Sequence, residues 1–244
     1  MDLNADLGEG SDNDEALMSI VTSCNIACGG HAGDTSTMKS ALLLAQKNAV
    51  SVGAHPSFPD RANFGRSPSP LKGNELKSIL CAQILDLQNI ANEVGVEINH
   101  VKPHGALYNM AAKDADLSET VLDAIEDTSS KLNLFGPPES ELEKSAKKRG
   151  VTYIREGFAD RAYEPNGCLR SRKKKGALIL GHSRQADQAI QIALTKSVTT
   201  FSGEVISLPA RSICVHSDTP DSIKAAAAIQ AAFLDNEISI CAPN

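Results

Sequence analysis

The chain has 244 residues, of which 41% are hydrophobic and 4% aromatic, and its formal net charge at pH 7 is −6. This length fits a single β/α barrel of about 250 residues, while the negative charge argues against a general binder of nucleic acid or anionic membranes. No apolar run approaches the roughly 18 residues of a membrane span, no charged-then-apolar leader opens the chain, and the cysteines are scattered as free thiols would be. We therefore expect a cytoplasmic protein.

Short apolar stretches alternate with helical patterns through the first half of the chain. The predicted strands are residues 2–7, 23–28 and 49–54, followed by an extended stretch that begins at His100. Helices are predicted around residues 17–21, 38–45 and 76–94, because apolar residues recur there every three or four positions. Asp34 stands directly before the second of these helices, where its side chain is placed to cap the N-terminus.

The alternation continues through the second half. Strands are predicted at residues 131–135, 151–155 and 212–215, and helices from near Leu117 and over 184–194 and 222–234. Another helix is predicted to start at Pro137-Pro138 and to end at Gly150 as its C-cap. A small hairpin is expected around Ser202-Gly203.

Strands separated by helices pair in parallel, so these elements predict one parallel sheet. Our first choice is an α/β fold in which residues 1–244 form a single domain, an incomplete barrel of seven strands written (β/α)7. The alternative is a doubly wound open sheet.

Polar side chains follow several of the predicted strands. In a barrel the carboxyl ends of the strands meet at one face, so we expect these side chains to lie together. Two acidic pairs are candidates for acid–base chemistry, although helix capping is the structural alternative for Asp160. The pairs are Asp6 with Glu9 and Glu156 with Asp160, and the histidines directly after strands are His31, His55, His104 and His216.

The same residues suggest two kinds of metal site. Asp6, His31 and His55 together would offer oxygen and imidazole ligands with open positions. Cys24, Cys28 and His31 resemble a zinc cluster, but no fourth ligand is evident, and core thiols are the better interpretation of these two cysteines.

Lys102 is the clearest cationic candidate. A lysine at a strand end would either stabilise an anion or an oxyanion, or form a salt bridge with one of the nearby acids. Arg61, Arg66 and Arg161 are candidates for binding a carboxylate or phosphate. The basic run over residues 170–175 is interpreted as a solvated loop.

At these motifs the sequence resembles the LamB/YcsF lactam-utilisation family, the family of the A subunit of ATP-hydrolysing 5-oxoprolinase. The matching blocks are DLNADLGE at 2–9, NIACG with HAGD over 25–34, GAHPSFPDRANFGR at 53–66, VKPHGALYN at 101–109, EGFADRAY at 156–163, GALI at 176–179 and CVHSD at 214–218. Gly30 and Ser217 depart from the family pattern, in which a Phe and a Gly are expected.

The resemblance implies a barrel of the glycoside hydrolase/deacetylase type and a cytoplasmic complex with two further subunits, B and C. It also implies the reaction of 5-oxo-L-proline, ATP and water to L-glutamate, ADP and phosphate. ATP, accompanied by Mg²⁺, would be bound either by this chain or by one of its partners.

Within that reaction we hypothesise that Asp6, assisted by His55 or His104, deprotonates water while Lys102 stabilises negative charge. Arg61 or Arg161 would hold the substrate carboxylate, and Glu156 or Asp160 would protonate the leaving nitrogen. Further substrate-binding candidates are Asn4, Asn25, His31, His216 and Asp218. The alternatives are a stand-alone metal-dependent deacetylase-like hydrolase that uses Asp6, His31 and His55, and a non-catalytic subunit that binds the lactam.

Overall fold

Seven parallel strands close into a barrel in the computed structural model, which describes residues 1–129, 131–219 and 221–243. The barrel strands are β1 (Asp2–Leu7), β2 (Ser23–Ala27), β3 (Ser51–His55), β4 (Ile98–Val101), β5 (Asn133–Gly136), β6 (Tyr153–Phe158) and β9 (Ser212–His216). They follow chain order, and β9 closes the barrel against β1. The (β/α)7 prediction is therefore confirmed and the open-sheet alternative is wrong.

Helices lie between the strands and cover the barrel. They are α1 (Asp14–Met18), α2 (Thr35–Asn48), α3 (Gly73–Val94), α4 (Gly105–Ala111), α5 (Ala115–Thr128), α6 (Glu141–Arg149), α7 (His182–Thr195) and α8 (Ser222–Asp235). The predicted hairpin forms outside the barrel as β7 (Ser197–Thr199) paired with β8 (Val205–Ser207). Among the described residues, no helix is both long and apolar enough to cross a membrane.

Capping residues in the sequence correctly predicted two helix ends, while the start of α6 and the extent of β4 differ from the prediction. Asp34 accepts a hydrogen bond from the Thr37 amide as the cap of α2, and Gly150 ends α6 in the left-handed region, both as predicted. Helix α6 does not start at the prolines, because Ser140 caps it and its first residue is Glu141. The stretch that begins at His100 is only partly a strand, since β4 ends at Val101 and α4 begins at Gly105.

The barrel interior is polar, which follows from the two-residue period of β1. Leu3, Ala5 and Leu7 point outward into the hydrophobic core, so the residues between them face inward. The hydroxyls of Ser23 and Ser212 both donate to the buried Asp2 carboxylate. Hydrogen bonds of this kind satisfy groups that would otherwise be costly to bury.

Gly53 provides the clearest test of this packing. A Cβ at this position would lie 2.1 Å from Nε2 of His100. We expect Gly53→Ala to lower the free energy of unfolding by about 1–3 kcal/mol, as measured by urea denaturation. In a His100→Ala background the same change should cost much less, and an equal cost in both backgrounds would contradict the steric explanation.

Candidate active site

The buried ammonium group of Lys102 occupies the middle of the barrel. Its Nζ lies 2.7 Å from Oε1 of Glu156 and 2.9 Å from Oδ1 of Asp6, and the Lys102 side chain is only 2% exposed. Two weaker partners complete its surroundings, Oδ1 of Asn4 at 3.2 Å and Sγ of Cys214 at 3.1 Å. An ammonium has three protons to donate, so all of them point at groups of the protein.

These charges determine the protonation of Asp6. Burial alone would raise the pKa of its carboxyl, but the neighbouring His55 and the charge of Lys102 outweigh burial and hold that pKa well below its usual range. Conversely, burial would lower the pKa of Lys102, yet Asp6, Cys214 and Glu156 raise it well above its ordinary value. Asp6 is thus an ionised carboxylate in a water-poor site.

A polar chain connects this ion cluster to its neighbours. The side-chain amide of Asn25 donates to Oδ1 of Asp6 and to Oδ1 of Asn4, each at 2.8 Å. Asn4 in turn donates to Oε1 of Glu156 at 2.9 Å. His100 is joined to Oδ1 of Asn25 at 2.8 Å, so residues from four strands share one network.

Asp160 and His216 form a second unit beside Asp6. Nδ1 of His216 donates to Oδ2 of Asp160 at 2.8 Å, and the Thr219 hydroxyl donates to the same oxygen at 2.7 Å. Burial would raise the pKa of Asp160, but the His216 charge and these hydrogen bonds lower it to about 2. An ionised Asp160 therefore fixes the orientation of the imidazole, as carboxylates do in histidine-based catalytic sites. Asp160 caps none of the described helices, so the capping alternative is wrong.

Three histidines and one glutamate gather on the other side of Asp6. His31 Nε2 lies 2.9 Å from Oε1 of Glu9, and His104 Nδ1 lies 3.0 Å from His55 Nε2. His55 Nε2 is also 3.3 Å from Oδ2 of Asp6, which joins this histidine cluster to the lysine network. The rings of His31 and His104 stack in parallel with centroids 3.6 Å apart.

The arginines divide into two groups. Nη1 of Arg61 donates to the backbone carbonyls of Gly29 and Gly33, at 2.9 Å in each case, so this side chain braces two loops. Arg66 and Arg172 instead converge on Oδ2 of Asp218, at 2.5 Å and 3.5 Å.

Arg161 lies near Arg172 and Arg66, and its Nη2 donates to the backbone carbonyl of Arg170 at 2.7 Å. Burial, together with the charge of Arg172, lowers its pKa to about 10. Its Nε has no hydrogen-bond partner in the part of the chain that the structure describes.

A cleft of about 430 Å³ opens over these groups. From the groups described above, Glu9, Arg66 and Asp218 line this cleft, and the rest of the lining is Gly10, Ser11, Phe64 and Ser217. Oε1 of Glu9 lies 3.9 Å from His55 Nε2, so the cleft borders the groups around Asp6.

Most of the predicted site residues are neighbours. The assembled set is Asn4, Asp6, Asn25, His31, His55, Lys102, His104, Glu156, Asp160 and His216, with Arg161 and Asp218 at its rim. Arg61 is turned toward the Gly29 and Gly33 carbonyls. Asp6, His31 and His55 remain a prediction as a set of metal ligands. In the structure, the possible metal ligands that lie together with His31 and His55 are Glu9 and His104.

Four participants were not anticipated in these positions. The sequence pattern suggested Glu9 only as an acid–base partner, and it did not distinguish His100, Cys214 or Arg172. The alternation of β9 could have indicated Cys214, because it lies two residues before His216 on the same face. Cys24 and Cys28 are free, buried core thiols, as expected.

A β/α barrel with a buried cluster of acids, imidazoles and one ammonium at its mouth is the architecture of a small-molecule site. The LamB/YcsF family model matches residues 1–244, and the chain belongs to that family. It is 43% identical over 227 residues to the A subunit of 5-oxoprolinase from Methylococcus capsulatus, a match that covers 91% of this chain and 87% of that protein. The crystal structure of a lactam utilization protein from Thermus thermophilus has a TM-score of 0.92 at 32% identity, covering 100% of this chain and 99% of that one.

Replacing the ammonium tests the charge cluster. Lys102→Met would leave Asp6 and Glu156 buried without their cation, so we expect a loss of about 3–5 kcal/mol at pH 7 in urea denaturation. Because the folded pKa of Asp6 lies below its unfolded value, the pairing stabilises the fold above that unfolded pKa and is lost as pH falls through the folded pKa. The deficit of the variant should therefore persist down to about pH 4 and shrink only below that value.

Lys47→Met is the matched control, because Lys47 is an exposed residue paired with Glu15. It should change the free energy of unfolding by less than about 0.5 kcal/mol. A deficit for Lys102→Met that stays constant with pH would assign the effect to lost packing and contradict the electrostatic account.

Proposed function

We propose that residues 1–244 form one barrel domain that serves as a subunit of ATP-dependent 5-oxoprolinase. In this proposal the enzyme converts 5-oxo-L-proline, ATP and water to L-glutamate, ADP and phosphate in a cytoplasmic complex with two further subunits, B and C. Mg²⁺ accompanies the ATP. The observation that carries the proposal is the ionised, buried Asp6 beneath a small cleft, in a chain that is 43% identical to a protein named as the A subunit of 5-oxoprolinase.

The chemistry explains why such a site is needed. The amide of a five-membered lactam is stabilised by resonance, and phosphorylation of its carbonyl oxygen would make the carbon electrophilic. One water must be deprotonated as it attacks that carbon, and the ring nitrogen must gain a proton as the C–N bond breaks. A second water then cleaves the resulting acyl phosphate to glutamate and phosphate. The site therefore has to offer a base, a proton donor and a cationic anchor for the substrate carboxylate.

We assign the base to Asp6. Its carboxylate is ionised, its Oδ1 is held by Lys102 and Asn25, and its Oδ2 lies 3.3 Å from His55 Nε2. Since the Lys102 protons all point at protein groups, we assign Lys102 to orienting Asp6 and Glu156. Direct contact with a substrate oxyanion would require it to give up one of those partners.

We assign the proton donor to His216. The pKa of Asp160, lowered to about 2 by His216 and Thr219 against the effect of burial, makes that carboxyl unsuitable as an acid. The Asp160 carboxylate holds Nδ1 of His216 and so fixes the direction of the ring. The other ring nitrogen is then available for the leaving nitrogen.

The substrate carboxylate is assigned to Arg161 with Arg66 and Arg172. Arg161 is buried and its Nε has no partner within the described residues, which favours an anionic ligand. Arg61 is less suited, because two backbone carbonyls already occupy its Nη1.

Asp6→Asn in the assembled complex is the first test. Asparagine keeps a hydrogen-bond acceptor but cannot take a proton, so ATP-coupled glutamate release should fall by about 10²–10⁴-fold. Asp12→Asn, at an exposed position, should leave the rate unchanged. Release at the wild-type rate would remove Asp6 from the mechanism and favour a subunit that only binds the lactam. Glutamate formation by this chain alone without ATP would instead favour a stand-alone hydrolase.

The arginine assignment has its own test. Arg161→Met should raise the KM for 5-oxoproline by about 10–100-fold, the equivalent of losing one or two charged hydrogen bonds. Arg61→Met should lower the thermal stability while leaving KM within about threefold, because this side chain holds two loops. The reverse pattern would restore Arg61 as the carboxylate ligand.

A further inference from the structure

The histidine cluster has a composition that the proposed lactam chemistry does not account for. One ligand atom from each of Glu9, His31, His55 and His104 lies within 4.8 Å of all the others. The three histidines are buried, and the Glu9 side chain is 5% exposed at the floor of the cleft. Three imidazoles that touch one another in a dry site call for a physical reason.

The spacing of these atoms is that of ligands around one ion. Bonds of about 2.0–2.2 Å to a tetrahedral or octahedral ion place neighbouring ligand atoms about 3.0–3.5 Å apart. Oε1 of Glu9 lies 2.9 Å from His31 Nε2, 3.5 Å from His104 Nδ1 and 3.9 Å from His55 Nε2. The His55–His104 nitrogen pair is 3.0 Å apart.

Backbone carbonyls determine the tautomers of two of these rings. A carbonyl only accepts, so His55 Nδ1 donates to the Lys102 carbonyl at 2.7 Å and His104 Nε2 donates to the Phe64 carbonyl at 2.9 Å. In a neutral imidazole the other nitrogen then carries a lone pair. The two lone pairs face each other at 3.0 Å, an arrangement that repels unless a cation lies between them.

A proton would satisfy only two of the four ligand atoms that converge here, whereas one metal ion can bind all of them. Oε1 of Glu9 lies 3.5 Å from His104 Nδ1 and 3.9 Å from His55 Nε2. The neutral imidazole is the form that binds metals.

The surroundings resemble the outer shell of a metal site. Histidine ligands commonly donate their second nitrogen to a carbonyl, which fixes the ring and raises its basicity as a ligand, and His55 and His104 both do so. Gly65 packs against the two stacked rings, since a Cβ there would lie 2.9 Å from His104 and His31. The cluster is rigid before any ligand arrives.

Ligand type selects the ion. Three nitrogens and one carboxylate oxygen suit Zn²⁺, Co²⁺ or a similar transition metal better than Mg²⁺ or Ca²⁺, which prefer oxygen. A second group, Asp6 with Cys214 and His216, is also close enough to hold an ion. The Lys102 ammonium lies 3.1 Å from the sulfur of Cys214 in this second group, and its positive charge opposes the binding of a metal ion by that group.

We propose that Glu9, His31, His55 and His104 bind one divalent transition metal ion of the zinc type at the floor of the cleft. The proposal does not depend on which substrate the chain uses, and binding is measured without turnover. The ion would lie beside Asp6, whose Oδ2 is 3.3 Å from His55 Nε2.

Cobalt titration of the full chain, after removal of metals with a chelator, tests the proposal. We expect one Co²⁺ per chain, with a visible d–d absorption band that Zn²⁺ abolishes by competition. His31→Gln and His104→Gln should each weaken binding by at least about 100-fold. His182→Gln, which changes an exposed histidine at the start of α7, should leave binding unchanged.

Two results would overturn the proposal. One is Co²⁺ binding that is absent below millimolar concentration, or equally strong in the His31 and His104 variants. The other is an imidazolium signal from His55 or His104 in ¹⁵N NMR at pH 7, since a proton would then separate the two nitrogens. If a variant fails to fold, wild-type crystals grown with Zn²⁺ provide the test through anomalous scattering at the zinc edge. We expect an anomalous peak among the four residues, and the absence of that peak would contradict the proposal.

Discussion

The contact between the Lys102 ammonium and the carboxylates of Asp6 and Glu156 is the constraint on which the site depends. Three charges buried away from bulk water are stable only when opposite charges lie in contact and hydrogen bonds satisfy their remaining donors and acceptors. Asn4 and Asn25 supply those bonds, and each comes from a different strand. A buried carboxylate that stays ionised can accept a proton, and this is why we propose Asp6 as the base.

The closed barrel makes this arrangement possible. Parallel strands deliver their carboxyl ends to one face, so that Asp6 at the end of β1 lies opposite His216 in register and near His55 at the end of β3. The loops then add what strands cannot. Glu9 and Arg66 line the same cleft, His31 contacts Glu9, and Arg61 fastens the loop after β3 to Gly29 and Gly33. Rigid strands thus hold the buried charges while braced loops form the rim.

Sequence patterns predicted the barrel because each strand and helix has its own period. They also located Asp6, His55 and Lys102, since polar residues that directly follow strands of a barrel meet at one face. They failed where a role depends on distant partners. Arg172 lies in a basic run that looks solvated, and only the fold reveals its contact with Asp218. Arg61 and Arg161 have the same side chain, and only tertiary contacts show that one braces loops while the other is buried. His100 was missed because nothing local distinguishes a strand histidine that faces the barrel interior.

The central claim is that the Lys102 ammonium keeps Asp6 ionised inside the barrel, against the effect of burial. A ¹³C NMR titration of the side-chain carboxyl groups of the folded chain, with Asp6 assigned by its loss in Asp6→Asn, measures this directly. The account predicts that the Asp6 signal keeps the shift of a carboxylate as the pH falls from 7 to about 4, the ordinary range of aspartate titration. A midpoint at or above that range would contradict the claim.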